Sequence, residues 1–162
     1  MQPPHRIPIG LELARTAKAV TRAFDDTLTS AGGGRPAWLI LLSLKTRRLT
    51  NQRELAEAVG IQTATLTHHL NAMENDGLIT RRRDPENRRV HLVELTDDGE
   101  AAFLRLRTAA MAHDERLRAE FTEKDLVTLH DLLVRLRQNV SDGPPDPPFP
   151  VPEGDARNPA GR

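Results

Sequence analysis

Between Asn51 and Leu95 the chain follows an order that few folds satisfy. Two short apolar-periodic segments are separated by Gly60, a second glycine stands at Gly77, and two alternating runs flank Asp84-Pro85-Glu86-Asn87. Asn51 and Glu54 stand at capping-box spacing, with Thr50 the other candidate cap, so the spacing predicts a helix over Gln52–Val59. Ala56 is small enough for a second helix to approach closely, and Gly60 permits the sharp turn between them. The second helix is expected from about Gln62 to Asp76, with Gly77 just past its end. Leu55, Val59, Ile61, Leu66, Leu70 and Met73 form the expected inner face; the last three recur at i, i+4, i+7. Leu78–Asp84 and Arg89–Leu95 read as strands, with Pro85 fixing φ in the turn that joins them.

The flanks read as longer helices. Ile9–Leu28 carries Leu13, Ala17, Val20, Phe24 and Leu28 on one face. Gly32-Gly33-Gly34 breaks the chain, and Pro36 suits the first position of a helix through Ala37–Thr46, which contains the only tryptophan, Trp38. Thr96 can cap Asp97–Glu120, whose acidic first turn complements the helix dipole. Thr122 and Asp125 form a further capping-box pair and open Glu123–Val140. In that last helix Leu126, Leu129, Leu133, Leu136 and Val140 step by three, four, three, four. This is the seam of a helix packed along another, either within the chain or across a dimer. The fold class is mainly α with a small antiparallel β-wing. Residues 141–162 hold seven of the twelve prolines and read as a disordered or extended tail; a Pro-rich ligand for an SH3-like partner is the other reading.

The face of Gln62–Met73 opposite Leu66 is uncharged. It offers Gln62, Thr63, Thr65, Thr67, His68, His69 and Asn71, where a solvated helix usually carries Lys and Glu. Short hydrogen-bonding groups suit approach to base edges, and the absence of an acid avoids repelling phosphate. The plainer reading is a Thr-rich surface helix. Five arginines, Arg81, Arg82, Arg83, Arg88 and Arg89, flank the turn that follows, against Asp84 and Glu86. Such a hairpin can contact phosphate or enter a narrow minor groove. Strand alternation keeps all five from pointing the same way, so Arg81–Arg83 are expected to split between phosphate contacts and ion pairs with Glu residues. A second basic stretch, Lys45, Arg47, Arg48 and Arg53, also suits phosphate. Solvated surface charge is the alternative for both patches. Net charge is zero, so only this local clustering points to nucleic acid.

The succession Gln52–Gly60, Thr65–Leu70, Gly77-Leu78-Ile79, Asp84-Pro85-Glu86-Asn87-Arg88-Arg89 and Leu95-Thr96-x2-Gly99 resembles the MarR (multiple-antibiotic-resistance regulator) family over about Ile9–Val140. The resemblance implies a winged helix-turn-helix with an α-helical dimerisation domain. Residues 1–35 would form an arm and the first dimerisation helix, 36–96 the DNA-binding domain, 97–140 the C-terminal dimerisation helices and 141–162 the tail. It implies a homodimeric, cytoplasmic transcriptional regulator, a ligand-responsive repressor on a palindromic operator of double-stranded DNA. Thr63, Thr65, His68 and His69 would read DNA from the recognition helix, and Arg81, Arg83, Arg88 and Arg89 from the wing, with Lys45, Arg47 and Arg48 on phosphate. Arg89 matches the family's wing-tip arginine. His68 stands where Arg is frequent, and Asn87 where Asp commonly orients the wing arginine. Small phenolic or anionic effectors are implied between the two domains; Trp38 is a candidate lining residue, with simple core packing the alternative.

Other functions find less support. There is no cysteine, which excludes disulfides, thiolate metal ligands and a cysteine redox switch. The histidines show no i, i+4 pair, so no metal or other cofactor is expected. No nucleophile–base pair stands out, and Gly32–Gly34 lacks a following Lys-Ser/Thr, so an enzyme is not expected. The longest apolar run, Ala37–Leu42, is far shorter than the roughly 20 residues that span a bilayer, so no membrane role is expected. The competing class is a winged-helix protein-interaction module without sequence-specific DNA binding.

Overall fold

The computed structural model describes residues 7–46, 52–83 and 91–140. They form α1 (Ile9–Ser30), α2 (Arg35–Thr46), α3 (Gln52–Val59), α4 (Thr63–Asn75), β1 (Ile79–Arg83), β2 (His91–Leu95), α5 (Asp97–Arg118) and α6 (Glu123–Gln138). The fold is mainly helical with one small antiparallel sheet, as its sequence pattern implies. Asn51, the proposed cap of α3, lies outside the described residues.

α2 is the centre of the core. Trp38, Ile40, Leu41, Leu42, Ser43 and Leu44 are all buried, because α1, α3, α4 and α5 surround it. Trp38 stacks on Phe103 of α5, ring centroids 5.8 Å apart. The α3–α4 corner closes as the small residues suggest. Gly60 takes φ 73°, Ile61 N–H donates to the Ala56 carbonyl at 3.1 Å, and Ala56 is buried. Leu66, Leu70 and Met73 turn inward from α4. β1 and β2 pair from Ile79↔Leu95 to Arg83↔His91, and Ile79 and Val93 enter the core.

Strand, turn and α5 are joined tightly at Leu95-Thr96-x2-Gly99. The Thr96 hydroxyl accepts from Gly99 N–H at 3.0 Å and donates to the Gly77 carbonyl at 2.6 Å. Thr96 N–H donates to the Leu78 carbonyl at 3.2 Å. A Cβ on Gly99 would stand 2.0 Å from the Leu78 oxygen, so only glycine lets α5 abut the chain there. One cap residue thus binds the end of α4, the start of β1 and the start of α5.

At the far end Thr122 and Asp125 complete a reciprocal capping box. α5 stops at Arg118, not Glu120, because Glu120 adopts φ 68° at the reversal. The stripe expected on α1 is buried only at Leu28; Val20 and Phe24 are half-buried, Leu13 and Ala17 exposed. α6 buries no residue at all. Of its seam, Leu126 and Leu136 are half-buried and Leu129, Leu133 and Val140 are exposed.

Candidate nucleic-acid interface

α4 is held at its back by Leu66, Leu70 and Met73, which leaves its other side outward. Gln62, Thr63, Thr65, His68 and Asn71 are exposed; Thr67 and His69 are half-buried. The Thr67 hydroxyl is spent within the helix, donating to the Thr63 carbonyl at 2.9 Å. The His68 and His69 rings lie 5.8 Å apart at 62° and diverge around the helix. An open groove at the α3–α4 corner, lined by Arg53, Glu57, Gly60, Gln62 and Thr63, adjoins the start of α4.

The arginines of β1 divide as their alternation requires. Arg81 is half-buried. Its Nε donates to Glu74 Oε2 at 2.8 Å, and its Nη2 donates to the same oxygen and to Asn71 Oδ1 at 2.7 Å. This holds the Glu74 carboxyl below its usual pKa, the Arg81 hydrogen bond being the main cause. Arg82 pairs across the strands with Glu94 at 2.7 Å, which likewise depresses the Glu94 pKa. Arg83 is exposed and has no ion pair among the described residues. Lys45 is also engaged: its Nζ contacts Glu100 at 2.9 Å and lies 5.9 Å from the Phe103 ring centroid. Arg81 and Lys45, both named from sequence as DNA-facing, are thus tied to neighbouring elements. Arg47, Arg48, Asn87, Arg88 and Arg89 lie outside the described residues.

A cavity of about 530 Å³ opens between α1, α2 and α5, walled by Phe24, Trp38, Leu39, His113 and Leu117 among others. Sequence reasoning reached Trp38 but not His113. Its signal was present: Phe103, Leu106, Ala110 and His113 fall at core spacing on α5. His113 is 5% exposed, its ring is 5.2 Å from Phe24, and neither ring nitrogen has a hydrogen-bond partner among the described residues. Leaving buried polar atoms unanswered costs on the order of 1–3 kcal/mol. Among the described residues no three His, Asp or Glu side chains gather as a metal site would. No helix there is long and apolar enough to cross a membrane.

The model of the MarR family matches residues 35–91, which span α2 to the start of β2. The HTH-type transcriptional regulator YdgJ of Bacillus subtilis (strain 168) is 32% identical over 91 residues, 56% of each chain, so the match spans just over half of that relative's length. A putative transcriptional regulatory protein for the hcr operon of Thauera aromatica is 29% identical over 137 residues, 84% of this chain and 82% of its own. Among solved structures, the transcriptional repressor CouR bound to a 23-mer DNA duplex superposes with a TM-score of 0.69. It is 26% identical and covers 80% of this chain and 92% of its own.

Proposed function

Because residues 35–91 match the MarR family model, we propose that the chain is a winged-helix transcriptional regulator of that family, a cytoplasmic, ligand-responsive repressor that acts by binding and not by catalysis. As a homodimer it occupies a palindromic operator. The observation that carries this reading is the uncharged, exposed face of α4 set beside the arginines of β1. Thr63, Thr65, His68 and His69 read base edges in the major groove. Arg83, Arg88 and Arg89 follow the backbone or the minor groove, and Arg47 and Arg48 meet phosphate. Arg81 serves the interface through Asn71 and Glu74, which it already holds.

The dimer rests on apolar surface that the chain leaves uncovered. Leu129, Leu132 and Leu133 of α6 are 47%, 48% and 36% exposed, and Ile9, Leu11 and Leu13 of α1 are exposed too. α1, α5 and α6 of two copies would cover it and set two α4 helices on half-sites about 10 bp apart. The effector enters the cavity beside Trp38, between the dimer helices and the reading head.

Selection of DNA from a random pool, followed by titration of the selected site against salt, tests the reading. Log K should fall linearly with log salt, about 0.9 per phosphate contact. A flat line would make α4 a protein-docking helix instead.

A further inference from the structure

Ala64, His68 and Asn71 recur at i, i+4, i+7 along α4, and all three are exposed. They form the stripe opposite Leu66, Leu70 and Met73, which are buried. Ala64 projects nothing beyond a methyl group, so a partner can come close to His68 and Asn71. Asn71 differs from the other two because its side chain is held. Arg81 Nη2 donates to Asn71 Oδ1 at 2.7 Å. Arg81 is anchored in turn: its Nε donates to Glu74 Oε2 at 2.8 Å, and its side chain is only 19% exposed. A guanidinium carries donors and no acceptor, so the amide oxygen, not the nitrogen, must face it. Nδ2 is left with both hydrogens to offer, and among the described residues nothing accepts from it.

We propose that Asn71 is a further specificity-determining residue of α4, and that Arg81 sets its polarity so that it selects guanine and rejects adenine. This rests on the DNA-binding reading above. An unconstrained asparagine reads adenine with both ends of its amide, the oxygen accepting from N6 and the nitrogen donating to N7. With the oxygen committed to Arg81, only the donor end remains. Guanine presents two neighbouring acceptors in the major groove, N7 and O6, and the two hydrogens of one NH2 group answer both. Adenine sets its N6 donor beside N7, so a donor-only amide meets a second donor there, and cytosine offers only its N4 donor. Thymine has a single acceptor, O4, and ranks between them. A phosphate oxygen also accepts from Nδ2 but carries no sequence preference. The place of Asn71 on the outward stripe, one turn beyond His68, favours the groove floor over its phosphate walls. Arg81 acts through the amide and is a positioning residue.

The full-length protein, Asn71→Asp and Arg81→Ala each select duplex DNA from a random pool. Their affinities are then measured for every single-base-pair change in the parent's site. Asn71→Asp keeps an acceptor for Arg81 and removes both donors, so it preserves a purely structural role and abolishes a reading one. The parent should prefer guanine to adenine at one half-site position by about tenfold, within the range of a paired contact to one base edge. Asn71→Asp should lose that guanine preference at this position alone. Arg81→Ala frees the amide to use both ends, so adenine should come within about twofold of guanine there. A guanine preference that survives in Asn71→Asp would overturn the proposal. So would an equal loss on every sequence, which would put Asn71 on phosphate, or continued rejection of adenine by Arg81→Ala. The Asn71→Asp arm decides the reading role even if Arg81→Ala fails to fold. A selected site indifferent to Asn71 sinks this inference alone. A parent that selects no sequence and binds without salt dependence sinks the regulator reading, and this inference with it.

Discussion

Two residues show how much single side chains decide here. Gly99 is fixed by the Leu78 carbonyl, against which any Cβ collides at 2.0 Å. Gly99→Ala should therefore lower stability by about 2–3 kcal/mol, the upper range for overpacking, measured as a lower urea midpoint with unchanged slope. Glu74 is fixed by Arg81, and its pKa lies below the ordinary 4.5. A depressed carboxyl stabilises the fold in full above about pH 4.5 and loses that contribution as pH falls through the lowered value. Carbon-detected NMR titration should thus place the Glu74 midpoint lower in the parent protein than in Arg81→Ala. Equal midpoints would mean the clamp is absent in solution.

At the scale of elements, Arg81 ties β1 to the helix beside it, α4. Arg81→Ala should speed amide exchange in β1 and weaken DNA binding several-fold while circular dichroism stays unchanged. The elements themselves were largely legible. Gln52–Val59 has the bounds its cap spacing and Gly60 dictate, and the other helices differ by one or two residues at their ends. Capping and glycine placement are local, and local signals survive reading in one dimension. The face of a helix is equally local, but what covers it is not. Leu13 and Ala17 share the stripe that ends at Leu28, yet they stay exposed while Leu28 is buried in the core and Phe24 packs against it. For the same reason Arg81 could be assigned to strand alternation from sequence, while its particular partners, Glu74 and Asn71, depend on how β1 folds back along α4. His113 escaped notice because a histidine in an apolar stripe reads as a tolerated exception until its missing partners are seen.

For the molecule as a whole, the uncovered apolar surface of α1 and α6 is the dominant fact. Leu133→Asp should leave a monomer by light scattering at micromolar concentration where the proposed homodimer forms in the parent protein. It should cost at least a hundredfold in affinity for a two-half-site duplex and far less for a single half-site. A variant that stays dimeric would move the interface elsewhere. The junction at Thr96 and Gly99 then acquires a mechanical meaning. Fourteen residue steps along α5 lead from Gly99 to His113, a rod of about 21 Å at the α-helical rise. One end of this rod forms a wall of the cavity between α1, α2 and α5; the other is joined through Thr96 to the start of β1 and the end of α4. On the proposed ligand-responsive reading, a molecule that wedged this cavity open by a small angle would apply a torque, and the rod would gear it into sideways travel. A tilt of five degrees over that length displaces the far end by about 2 Å, a sizeable shift for side chains that must meet base edges at hydrogen-bond distance.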